Sequence, residues 1–180
     1  MRKNIMNVAV ASLASLGSIL ATSAQAAPDG TITINGKVEG STCAVSGGTA
    51  GSSPTVQLNA SSTGTLSEAG KTSGRKPFQF VLTGCSADAK AVKARFETGA
   101  NTDEATGRLK LTGADAASNV QMQLLNEDNK LIKVGDDSSV KAVPVVDGKA
   151  TLNYQVEYVA TGAATAGSAN SSVTYSIIYE

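Results

Sequence analysis

Strict alternation of apolar and polar residues recurs along this chain from residue 78 onward, and it leaves little room for anything but β-sheet. Over 78–83, Phe78, Phe80 and Leu82 share one face, with Gln79 and Thr83 opposite. Val92, Ala94 and Phe96 alternate with Lys93, Arg95 and Glu97. The same period holds for Val120, Met122 and Leu124, and again for Leu152, Tyr154, Val156 and Tyr158, with Asn153, Gln155 and Glu157 on the outward polar face. It returns in Val173, Tyr175, Ile177 and Tyr179. A helical period of 3.6 fits none of these windows well. One dry and one wet face per strand is the pattern of two antiparallel sheets packed face to face. Turn signals separate the windows. Asn126-Glu127-Asp128-Asn129 reads as a hairpin loop between Leu125 and Leu131, and Asp147-Gly148 as a two-residue hairpin turn. Residues 161–170, rich in Ala, Gly, Ser and Thr, read as a flexible loop before the last strand.

The start of the chain is different. Arg2 and Lys3 precede an apolar, small-residue run from Val8 to about Ala21, and Ala24-Gln25-Ala26 follows. Charged head, apolar middle and small-residue exit make a secretory signal peptide, with cleavage expected after Ala26. The apolar run is short for a membrane span. Without the leader's two basic residues, 13 basic and 15 acidic residues remain, a net charge of −2. That balance does not favour nucleic acid or an anionic membrane surface as a partner. The remaining 154 residues, from Ala27 to Glu180, amount to one domain.

An exported chain matures in an oxidising compartment, so its two cysteines, Cys43 and Cys85, are expected to pair. An unstrained bond closing a loop of roughly 40 residues is worth about 4 kcal/mol. The alternative, a metal pair, is a poor zinc site in a chain without histidine. Lack of histidine also removes Ser-His-Asp and Cys-His arrangements. The acidic residues are scattered or sit in turns, so any carboxylate pair for glycoside hydrolysis would depend on spacing in three dimensions. The 126–129 loop lacks the spacing and bidentate Glu of a calcium loop. No catalytic residue, metal site or cofactor is expected.

The segment before Cys43 has no evident partner. Ile32, Ile34, Gly36 and Val38 face one way, and Thr31, Thr33, Asn35 and Lys37 the other. A terminal segment frays unless it is tied down, and this one has high β-propensity. One reading is an ordinary first strand. Gly36 weakens a strand unless something must approach its backbone closely.

Four stretches, taken in order, resemble the fimbrial subunits (pilins) of the chaperone–usher pathway, of the type 1 fimbrial kind. Gly30 to Val38 followed by Cys43 is similar to that family's N-terminal extension. Phe78-Gln79-Phe80-Val81-Leu82-Thr83-Gly84-Cys85 is similar to its strand carrying the second cysteine. Leu152 to Ala160, a loop and then Gly167 resemble its next-to-last strand and exit. Tyr179 as the penultimate residue, with Gly167 fourteen positions from the end, resembles its C-terminal signature.

The resemblance implies an all-β, incomplete immunoglobulin-like sandwich whose final strand is supplied in trans. It divides the chain into a signal peptide (1–26), a donor-strand extension (27–38) and a pilin domain (39–180). It implies that Ile32, Ile34 and Val38 enter a neighbour's groove, with Gly36 where the groove is shallow. Gly167, Tyr179 and Glu180 would belong to a chaperone-docking edge. Implied partners are copies of itself or related pilins, a periplasmic chaperone and an outer-membrane usher, with export to the cell surface, a role in adhesion and no catalysis. A shaft subunit is the first reading. The rivals are a minor or adaptor subunit, an adhesive tip subunit, a secreted β-sandwich enzyme, and a self-complemented carbohydrate-binding sandwich.

Overall fold

The computed structural model describes residues 43–46 and 53–180. The leader and the Ile32–Val38 segment lie outside the described residues. Among the described residues, ten strands appear in chain order: β1 (Ala44–Ser46), β2 (Thr72–Thr83), β3 (Ala91–Phe96), β4 (Thr102–Asp103), β5 (Arg108–Lys110), β6 (Val120–Asn126), β7 (Leu131–Ile132), β8 (Val143–Pro144), β9 (Lys149–Ala160) and β10 (Tyr175–Tyr179). The larger sheet has the order β1-β2-β9-β6-β5-β4, with β7 also on β6, and the smaller sheet the order β10-β3-β8. Every pair of named strands is antiparallel. This is the all-β, two-sheet architecture expected from the alternation.

The core lies where the dry faces meet. Phe80, Leu82, Val92, Ile132 and Leu152 are almost wholly buried, and each sits on the apolar phase of its strand. Tyr154 is buried on β9, where its hydroxyl accepts a hydrogen bond from the Ala94 amide of the opposite sheet at 3.1 Å. The two sheets are thereby tied by a polar contact as well as by packing. Burial pushes the Tyr154 phenol pKa up, and the Ala94 amide opposes that shift.

Both expected hairpins form. Leu125 pairs with Leu131 around the 126–130 turn. At the second, Val146 N–H donates to Lys149 O and Lys149 N–H to Val146 O, each at 2.9 Å. Asp147 and Gly148 between them have φ of 50° and 68°, the left-handed pair that a type I′ turn requires. Cys43 and Cys85 are joined in a disulfide. It closes the end of β1 onto the end of β2.

Two features differ from the sequence reading. The 161–170 loop is not slack: its backbone is held by hydrogen bonds from Thr161 N–H to Asn119 O, Ala164 N–H to Leu66 O and Ser168 N–H to Asp115 O. Small residues permit the close approach that makes these bonds. Glu157, read as an outward polar residue, is 3% exposed. Its carboxylate accepts from Arg75 Nε at 2.9 Å on β2 and from Gln123 Nε2 at 2.7 Å on β6. A buried carboxylate persists only with such partners.

Candidate functional site

A groove of about 930 Å³ runs between the two sheets. Its floor is built from inward side chains of the larger sheet, chiefly Phe78 and Phe80 of β2, Met122 and Leu124 of β6, and Val156 and Tyr158 of β9. Phe80 is central. Its ring stacks on Tyr175 with centroids 4.3 Å apart, and meets Phe78 and Tyr154 at 5.9 and 6.2 Å.

One bank is β10 with the stretch leading into it. Tyr175, Ile177 and Tyr179 line the groove with the more exposed Ser176 at its rim, and Glu180 beyond them is exposed. β10 stands at the end of the smaller sheet, with β3 as its neighbour there. The other bank is the segment 53–59. Pro54, Val56 and Leu58 are half-buried, alternating with exposed Ser53, Thr55, Gln57 and Asn59. That is the side-chain period of a β-strand, yet no named strand pairs with this segment. The groove therefore has two strand-like banks, an aromatic and aliphatic floor, and the length of a strand.

No Asp, Glu, Lys or Arg lines the groove. Its chemistry is apolar contact plus main-chain hydrogen bonding along the banks, which suits an extended peptide whose alternate side chains are apolar.

The sequence-derived site residues are placed separately. Ile32, Ile34, Gly36 and Val38 lie outside the described residues. Tyr179 sits in the groove wall, opposite Val92. Glu180 is bound into its own sheet: its backbone N–H donates to Ala91 O at 2.8 Å, and its carboxylate lies 2.7 Å from Lys93 Nζ. Gly167 is not beside them. It packs on the 115–117 backbone, where an added Cβ would lie 2.5 Å from Ala117 N and 2.6 Å from Asp115 O. Close approach alone demands glycine there. Gly167→Leu should cost about 1–3 kcal/mol in urea unfolding, since backbone rather than a movable side chain blocks the space.

The sequence reading missed the 53–59 bank. The signal was present in the sequence as the alternation Pro54, Val56, Leu58.

A two-sheet sandwich with one disulfide and a strand-length apolar groove at the end of its smaller sheet defines a pilin-type subunit. Residues 53–180 match the family model for Type-1 fimbrial protein, A, and the chain belongs to that family. It is 44% identical to an F17 fimbrial protein of Escherichia coli over 175 residues, covering 92% of this chain and 96% of that one. It is also 44% identical to the major fimbrial subunit SMF-1 of Stenotrophomonas maltophilia (strain K279a) over 161 residues, 85% of this chain and 94% of that one. Its fold is shared with a solved subunit of a chaperone–usher pilus, with TM-score 0.60 and 20% identity over 87% of this chain and 100% of that one. The chain is thus a structural subunit of a bacterial surface fimbria.

Proposed function

We propose that this subunit polymerises by strand exchange, the extension 27–38 of one copy filling the groove of the next. The observation that carries the reading is the pair of β-like banks, 53–59 and β10, on either side of an apolar floor. Ile32, Ile34 and Val38 have the matching period of alternate apolar side chains. Each contributes roughly 1.5–3 kcal/mol when buried. Because donor and acceptor surfaces differ, the contact repeats head to tail and grows an open filament.

An apolar groove of this size is an aggregation hazard before assembly. A periplasmic chaperone covering it, and an outer-membrane usher exchanging that cover for the next extension, answer this hazard. Tyr179 belongs to the covered wall. Gly167 contributes by fixing the loop that leads into β10. The subunit acts as a structural shaft component, in keeping with its family of fimbrial subunits.

Unheated gel electrophoresis of the subunit made with its chaperone and usher tests this reading. The intact chain should give a ladder of regular multiples, and the chain lacking 27–38 a monomer band. A monomer band from both would overturn strand exchange.

A further inference from the structure

We propose that consecutive copies also make a second, knob-in-socket contact: Val146 of each donating copy seats in a pocket at the far end of the acceptor's groove. This rests on the strand-exchange reading and adds an interface to it.

The socket is a cavity of about 660 Å³ that continues the groove. The two share Gln57, Leu58, Tyr158, Ala169 and Asn170. Leu66, Val120 and Ala164 give it an apolar part, beside a polar part formed by Ser61, Thr63 and Ser168. It lies at the end of the sandwich where β9 finishes and β6 begins, because Val120 pairs with Ala160.

The knob is at the opposite end. Val146 is 64% exposed, the large apolar side chain left in solvent among the described residues. It is held rigidly, since the type I′ turn locks its backbone through the two reciprocal bonds to Lys149. The same turn lies against the disulfide: Cys85 N–H donates to Gly148 O at 3.0 Å. Cys43, the other half of that disulfide, is where the domain receives the chain from the extension.

Strand polarity brings knob and socket together. β10 runs toward the Cys43 end, because Glu180 O accepts from Lys90 and Ala91, and Lys90 O accepts from Val145, next to Val146. All pairs of named strands are antiparallel. A donor strand laid antiparallel on β10 therefore starts at the acceptor's Cys43 end and finishes at its socket end. Only residues 39–42 separate Val38 from Cys43, a reach of at most about 18 Å. The donating copy's Cys43 end, with Val146 beside it, is held against the acceptor's socket. A parallel insertion would carry it to the other end.

The test is a crosslink in assembled filaments. Val146→Cys combined with Ala164→Cys should give a covalent ladder on boiled, non-reducing gels, and the ladder should collapse with reductant. Val146→Cys alone is the control for adventitious pairing. In parallel, filaments of Val146→Glu should dissociate about tenfold faster or more, the factor expected from one valine side chain. Filaments that form without the covalent ladder, and Val146→Glu filaments that dissociate at the parent rate, would overturn the socket while leaving strand exchange standing. Failure of the parent chain to form filaments would overturn both.

Discussion

Replacing Phe80 by alanine should destabilise the subunit by about 3–5 kcal/mol, read as a lower urea midpoint. Phe80 is 1% exposed and lies opposite Leu152 in the longest strand pairing of the fold. Its ring touches three others, and its stack on Tyr175 reaches from the larger sheet to β10. The truncation removes buried area and leaves space that rigid neighbours cannot close. It also separates the groove's floor from its bank. Phe80→Leu should retain most of the stability, because it keeps much of the volume while losing the ring contacts. If Phe80→Ala changed the midpoint by less than 1 kcal/mol in equivalent free energy, the floor would not be the packed element described here.

Removal of the disulfide is the second large effect. The double variant Cys43→Ser, Cys85→Ser should lose about 4 kcal/mol, from the closure entropy of a loop spanning 42 positions. The damage should be local before it is global. β1 has three residues and, among the described residues, pairs only with the last residues of β2, Val81 to Thr83. A strand of that length adds little stability of its own, so the covalent bond anchors it. Hydrogen exchange should show early loss of protection at 44–46, with β9 and β6 still protected. Uniform loss across both sheets would mean that the bond stabilises the whole domain rather than the β1 end alone.

The sequence by itself determined the strands with a clean period of two, their inward faces, both hairpins and the disulfide. These are local properties. Alternation reports which side of a strand is dry without reference to its partner, Asp147-Gly148 encodes its own turn, and two cysteines allow one pairing. The resemblance was legible too, since it rested on short stretches in a fixed order.

Only the tertiary structure decided what depends on distant neighbours. Glu157 has the outward phase of β9, yet it is buried because Arg75 and Gln123, from the strands on either side, reach it. Gly167 looked like part of a terminal signature, but what fixes glycine there is the backbone of 115–117 pressed against it. The segment 53–59 carries a strand's alternation but, among the described residues, no strand's pairing, and it is a groove wall because β10 stands across the floor from it. Which strands pair follows from contacts between residues far apart in sequence. Periodicity carries no record of them.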